Sequence, residues 1–285
     1  MNAFAPDQDR PSGAGSTPRG GVPPDSGAPE PRERRRAALV VPPEEVHLWQ
    51  ARTDFPDAGV ARLAAQLSAA ERERAARYRF PADRRRFIVA RGLLRTLLGA
   101  YLGSAPREVR LNTGVHGKPY VDLADAGWPL HFNGSHSGDW FVAAIARQPV
   151  GVDIELVPAR GVSQQIPDLI LSPDERSAFA VVPEALRHEL LYTLWTRKEA
   201  VLKALGVGLR EPMRSVSVSV GREAPPRVTG FANGRDDPAE WLLHDVAPAP
   251  GVVGALALRA RVARVRSWKL LAESPEVWPS PGGAG

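Results

Sequence analysis

Two acids alternate in the segment Gly151-Val152-Asp153-Ile154-Glu155. In an extended chain, side chains at i and i+2 share a face, roughly 7 Å apart along the strand. Asp153 and Glu155 therefore point the same way, while Val152 and Ile154 anchor the opposite face. Converging carboxylates with no base between them repel unless a proton or a cation lies there. Hard oxygen donors of this kind suit Mg²⁺, which takes one or two carboxylates plus phosphate oxygens and water. An edge strand with two solvated acids accounts for the same fragment.

A second stretch, Trp195-Thr196-Arg197-Lys198-Glu199-Ala200-Val201-Leu202-Lys203, has helical periodicity. Leu190, Leu191, Leu194, Val201 and Leu205 make one apolar stripe, and Glu199 and Lys203 lie one turn apart on roughly the opposite side. In isolation they are an ordinary surface pair worth about 0.2–0.5 kcal/mol. Beside Asp153 and Glu155 they would add a third carboxylate and an ammonium, completing a metal–phosphate site. Among 37 basic residues, lysine occurs only at Lys118, Lys198, Lys203 and Lys269. In so Arg-rich a chain, a retained lysine hints that the compact ammonium itself is wanted.

Anion-binding parts lie earlier. Asn133-Gly134-Ser135-His136-Ser137 offers hydroxyls, a turn and the histidine with the most polar setting of the six. Gly117-Lys118-Pro119 puts a lysine in a tight turn. Arg84, Arg85 and Arg86 crowd the first turns of a helix, where cations oppose the positive dipole end unless an anion is near. The bland alternatives are a structural histidine and a solvated basic face. A Ser135–His136–Asp153 triad is disfavoured, because no G-x-S-x-G pattern surrounds Ser135. With no cysteine in the chain, thiolate nucleophiles, thiolate metal sites and disulfides are excluded.

The elements that must position these residues read as a mixture. Strands are expected at 46–51, 109–113, 130–136, 140–147, 151–157, 214–220, 240–246, 251–260 and 263–271, from alternating or β-branched runs. Helices are expected near 60–67 and 69–79. A longer one runs from Pro81 to about Leu102, with Gly103 beyond its end. Ser172-Pro173-Asp174-Glu175 is a capping box opening another, and a long helix runs from Pro183 to Leu205-Gly206. The fold class is α+β: two pseudosymmetric lobes, each a small sheet packed with helices, joined near Gln148-Pro149. The division places a Pro/Gly/Arg-rich tail at 1–44 and one lobe at 45–148. A second lobe follows at 149–272 and a loose tail at 273–285. The N-terminal stretch is too poor in apolar residues to offset its ordering entropy.

At 285 residues and 43% hydrophobic content the chain can bury one sizeable core or two small ones. No apolar run would span a bilayer, and the N-terminus carries acids and no signal-like stretch, so a cytoplasmic location and no membrane partner are expected. A net charge of +5 suits an anionic ligand or partner. A nucleic-acid binder using Arg84–Arg86 and the N-terminal arginines would need a recognised motif, and none is present.

The motifs GKPY (117–120), FNGSHS (132–137), GVDIE (151–155) and WTRKEAVLK (195–203) follow the order and approximate spacing of the Sfp-type 4′-phosphopantetheinyl transferases. The stretch SAAERERAARYRFPADRRRFIVARGLLRTLL (68–98) also resembles that family's N-terminal helices, and the likeness covers about residues 46–270. The resemblance implies coenzyme A in a cleft between the lobes, with Mg²⁺ held by Asp153, Glu155 and Glu199. It implies Glu199 as base for the serine of an acyl or peptidyl carrier protein, and Lys203 at the pyrophosphate and leaving group. His136, Arg86 and Arg74 would approach the 3′-phosphate, Ser135 the pyrophosphate and Lys118 the nucleotide end. Glu71 departs from the family pattern, standing where relatives often carry a base, and this shifts the phosphate role from Arg74 toward Arg86. The implied reaction is phosphopantetheine transfer of the holo-[acyl-carrier-protein] synthase type, by a monomer, releasing adenosine 3′,5′-bisphosphate. A catalytically silent coenzyme A or carrier-protein binding module on the same fold is the alternative.

Overall fold

The computed structural model describes residues 39–122, 126–159, 166–208, 211–221, 225–234, 236–260 and 263–270. Apart from residues 39–44, the tails expected from the sequence lie outside that set. The first half runs β1 (Glu45–Arg52), α1 (Asp57–Ala65), α2 (Ala69–Ala76) and α3 (Pro81–Leu102). It continues with β2 (Asn112–Thr113), β3 (Pro119–Tyr120), β4 (His131–Ser137) and β5 (Trp140–Ala146). The second half holds β6 (Val150–Leu156), α4 (Ile166–Ile170), α5 (Pro173–Ala180) and α6 (Glu184–Leu205). Then come β7 (Val216–Val218), β8 (Val228–Phe231), β9 (Trp241–Val246), β10 (Val252–Arg259) and β11 (Arg264–Leu270).

The long helices stop where their sequences say they should. Pro81 occupies the first turn of α3, and Gly103 closes it in the left-handed region at φ 64°. Gly206 does the same for α6 at φ 72°. Ser172 and Glu175 form the reciprocal capping box at the start of α5.

Alternation along the strands builds a layered body. One sheet has the order β11-β1-β5-β4 and another the order β6-β10-β9. Trp49, Phe141, Ala143 and Ile145 turn one face of the first sheet toward Leu93 and Leu97 of α3. Val46, Leu48, Val142 and Ala144 turn the other face toward Val150, Val152, Ile154 and Leu256 of the second sheet. The far side of that sheet, at Ala255 and Ala257, packs on Leu194, Ala200 and Val201 of α6. The order of layers is helix, sheet, sheet, helix.

Five elements differ from the sequence reading. The strand expected at 109–113 shrinks to β2, because Arg95 Nη1 takes the carbonyls of Pro106 and Val109, each at 3.0 Å. The short β3, β8 and α4 were not anticipated, being too brief to show a period. β11, grouped by the sequence division with residues 149–272, pairs in parallel with β1 from Glu45↔Arg264 to Ala51↔Leu270 and so belongs to the first sheet. No helix among the described residues is long and apolar enough to cross a membrane.

Candidate active site

The site is made where α6 crosses β6 with almost no space between the backbones. A Cβ on Gly151 would sit 2.0 Å from the Ala200 carbonyl oxygen and 2.5 Å from the Ala204 nitrogen. Only glycine permits this approach. The crossing lays Glu199 and Lys203 over the face of β6 that carries Asp153 and Glu155. The alternative of a solvated helix face fails here, since Thr196, Arg197 and Lys198 are fully buried and Lys203 reaches β6.

Lys203 Nζ donates to Asp153 Oδ1 at 2.6 Å and lies 3.3 Å from the Val152 carbonyl oxygen. Ser135 Oγ donates to the same Asp153 oxygen at 2.8 Å, and Ser137 Oγ donates to Glu155 Oε2 at 2.7 Å. The second Asp153 oxygen, Oδ2, is buried with no hydrogen-bond partner. A carboxylate oxygen withdrawn from water without a donor is costly, and a bound cation would satisfy it.

The acids feel one another. Burial, then the neighbouring charge of Asp153, raises the pKa of Glu155 against the lowering effect of Ser137. Burial, Asp153 and Glu155 together raise that of Glu199, with Lys203 acting the other way. Removal from water, then the charges of Lys203 and Arg86, lowers the pKa of His136. Electrostatically, His136, Arg86, Lys203 and the three acids are one group. Among the described residues no three acids or histidines are drawn together as a ready-made ion cage. The donor chemistry nevertheless fits a hard divalent ion: one unmatched oxygen, and two carboxyls whose ionisation the site penalises.

The remaining candidates are placed differently. Arg86 pairs with Asp83 at 3.2 Å on a half-exposed surface. Arg74 lies over the Phe87 ring at 5.2 Å and borders an open recess with Arg77 and Tyr78. Glu71 is structural: it caps α2 through Ser68 and pairs with Arg95 at 2.6 Å and Arg91 at 3.5 Å. Lys118 donates to the carbonyls of Lys203 (2.6 Å) and Val150 (3.1 Å), and burial pulls its pKa down to about 8. It borders a recess of about 280 Å³ with His116, Tyr120, His131 and Leu205. Its ammonium clasps the end of α6 to the start of β6. Ser135 likewise spends its one proton on Asp153.

Sequence reasoning counted the segment 133–137 among the anion-binding parts but gave Asn133 and Ser137 no role of their own, although their alternation with Ser135 was the available signal. It flagged Lys198 only as one of four lysines and missed its partners, Glu175 Oε2 at 2.5 Å and the Ile170 carbonyl oxygen at 2.7 Å. This buried pair ties α5 and the end of α4 to the turn of α6 that carries Glu199.

Residues 149–257 match the model of the 4′-phosphopantetheinyl transferase superfamily, and residues 55–148 match that of the 4′-phosphopantetheinyl transferase N-terminal region. The 4′-phosphopantetheinyl transferase HetI of Nostoc sp. is 32% identical over 222 residues, covering 77% of this chain and 90% of that protein. This chain belongs to the 4′-phosphopantetheinyl transferases. A phosphopantetheinyl transferase of Thraustochytrium sp. is 33% identical over 68% of the chain and 73% of its own length. The 4′-phosphopantetheinyl transferase Sfp of Bacillus subtilis is 32% identical over 55% and 68%. In this transferase, the border between the two matched stretches falls directly ahead of β6, and both sides of it contribute to the site: Ser135 and His136 before, Asp153, Glu155, Glu199 and Lys203 after.

Proposed function

We propose that this protein transfers 4′-phosphopantetheine from coenzyme A to a serine of an acyl or peptidyl carrier protein, releasing adenosine 3′,5′-bisphosphate. The reading extends to a holo-[acyl-carrier-protein] synthase activity carried by two α+β lobes, with the ligand between them. A monomer in the cytoplasm is the expected setting. The observation that carries the proposal is the buried, half-satisfied Asp153 carboxylate beside Glu155, Glu199 and Lys203.

Asp153, Glu155 and Glu199 would hold Mg²⁺, which supplies Lewis acidity and charge neutralisation to a pyrophosphate. Glu199, its pKa raised by burial and by two neighbouring acids, is the group suited to accept the carrier serine's proton. The serine oxygen then bonds to the phosphorus that bears pantetheine, and the bond from that phosphorus to the adenosine bisphosphate breaks. Lys203, 2.6 Å from Asp153, would turn its ammonium to the oxygen that gains charge as this bond opens. His136 and Arg86 would bind the 3′-phosphate, with Arg74 at its margin. An anion there favours imidazolium, opposing the lowering of the His136 pKa by burial, Lys203 and Arg86. Positioning and electrostatics supply most of the acceleration in such reactions, so no covalent enzyme intermediate is required. A basic protein also suits an acidic carrier.

The test is intact-mass spectrometry of an apo carrier protein incubated with this protein, coenzyme A and Mg²⁺. The expected result is one phosphopantetheine mass increment on the carrier, lost on adding chelator. Measurable coenzyme A binding without any increment, across several apo carriers, would instead make the protein a binding module.

A further inference from the structure

β4 and β6 run side by side yet belong to different sheets. What joins them is a ladder of side chains. Asn133 Oδ1 accepts from the Val152 amide at 2.8 Å, Ser135 Oγ from the Ile154 amide at 3.4 Å, and Ser137 Oγ from the Leu156 amide at 3.0 Å. The separation is 19 residues at every rung. Alternate side chains of one strand thus satisfy alternate amides of the next, as a neighbouring backbone would in a continuous sheet. Because the Val152 N–H can only donate, the Asn133 amide must present its oxygen.

We propose that Asn133, Ser135 and Ser137 are positioning residues, which fix the sliding register between the two sheets and thereby place Asp153 and Glu155. The inference rests on the transferase reading for its functional consequence. The sheets otherwise meet through an apolar interface, Val142 and Ala144 against Val152 and Ile154. Hydrophobic contact is non-directional, and a shift of β6 by two residues would keep its apolar residues on the buried face. That same shift would carry the acids roughly 7 Å along β4. The ladder opposes it: shifted one way, Ser137 would face Pro158, which has no N–H, and shifted the other way the Leu156 amide would lose its acceptor.

Two rungs have a second function. Ser135 Oγ accepts from Ile154 and donates to Asp153, while Ser137 Oγ accepts from Leu156 and donates to Glu155. A hydroxyl has a single proton to give. The amide fixes where each oxygen sits, and the carboxylate fixes where its proton points. Each acid is therefore oriented by the serine whose oxygen receives the next residue's amide. Of the two, Ser137 is the cleaner probe, since Ser135 also lies 3.4 Å from Lys203 Nζ.

The experiment compares Ser137→Ala and Ser137→Thr in the full chain. Readouts are Mn²⁺ binding by electron paramagnetic resonance with coenzyme A present, kcat and KM for carrier modification, and amide exchange at Leu156. Loss of a group that orients a metal ligand typically costs 10–100-fold in metal affinity or activity. Ser137→Ala should weaken Mn²⁺ binding and lower kcat by about tenfold or more on that scale, leave the coenzyme A KM nearly unchanged, and speed exchange at Leu156. Ser137→Thr, which keeps the hydroxyl, should restore all three. Unchanged Mn²⁺ affinity and Leu156 exchange in the Ala variant would overturn the proposal. So would a Thr variant as impaired as Ala, which would assign the effect to packing. If the unsubstituted protein binds Mn²⁺ and coenzyme A but modifies no carrier, the transferase reading falls, while Mn²⁺ affinity and Leu156 exchange still decide the ladder.

Discussion

Substituting Gly151 by alanine tests whether the close crossing of α6 and β6 builds the site. The added methyl carbon would lie 2.0 Å from one backbone atom of α6 and 2.5 Å from another. Neither is the end of a side chain that can swing away. Non-bonded carbon contacts settle near 3.5–4.0 Å, so α6 must retreat by at least about 1 Å. That would stretch the 2.6 Å contact of Lys203 with Asp153 beyond the range of a strong charged hydrogen bond. Displacements of ~1 Å in catalytic groups cost about 10²-fold in rate. Overpacking typically destabilises by about 1–3 kcal/mol, equivalent to a melting point lower by roughly 2–12 °C for a body of this size. Carrier modification by mass spectrometry and thermal unfolding by circular dichroism give the two numbers. Gly230→Ala, where the nearest atom would be 3.8 Å away, is the control and should behave as the parent. A Gly151→Ala protein with parental melting and parental turnover would refute the reasoning.

Further outcomes are expected. Glu199→Gln should leave coenzyme A affinity nearly intact and lower turnover by about 10²-fold or more, the usual contribution of a general base; stopped-time mass spectrometry would decide. His136→Ala should weaken coenzyme A by roughly 10- to 150-fold, the equivalent of about 1.5–3 kcal/mol for a hydrogen bond to a charged group, and leave 3′-dephospho-coenzyme A almost unaffected; equal losses by calorimetry would remove His136 from the 3′-phosphate site. Lys198→Met strands the buried Glu175 carboxylate and should destabilise by about 3–5 kcal/mol; a loss under about 1 kcal/mol in urea unfolding would contradict that. The pKa values of Glu155 and Glu199 are raised from 4.5 in the folded chain. Folding therefore retains protons that the unfolded chain gives up, and their contribution to stability falls as pH rises through the folded values. Mg²⁺ should offset that fall, raising the melting temperature more at pH 8 than at pH 5; an equal or larger rise at pH 5 would count against the acids as its ligands.

What was legible in the sequence was whatever local rules govern. The limits of α3 follow from Pro81 and Gly103, and the shared face of Asp153 and Glu155 follows from a period of two. The Ser172–Glu175 cap was equally plain, but not that the same carboxylate also accepts from the Val218 amide at 2.7 Å and holds Lys198. Those partners are distant in the chain, and nothing in a local pattern announces them. The scarcity of lysine pointed to four positions without telling their tasks apart. Lys203 meets an acid of the site, Lys198 is sealed in a structural pair, and Lys118 clasps two backbone carbonyls. For Ser135 the residue type was informative but not its direction, since a hydroxyl serves a phosphate or a carboxylate equally well until its neighbours are known. Glu71 shows the converse: a departure from the family pattern proves to be a helix cap bonded to two arginines of the neighbouring helix.

The pairing of β1 with β11 bears on how the molecule is made. Trp49 stacks on its register partner Trp268 at 4.8 Å, and Tyr101 at the end of α3 takes hydrogen bonds with His47 and Trp49 on the same face. β1 precedes every residue of the site in the chain, whereas the strand that pairs with its second edge follows all of them. Contacts so remote in sequence form slowly, because loop closure precedes the gain they bring. On the ribosome, α6 and β6 can meet while β1 still lacks this neighbour. The nascent chain would then carry its assembled acids before its first sheet is complete, with an exposed edge open to other strands until the last one docks.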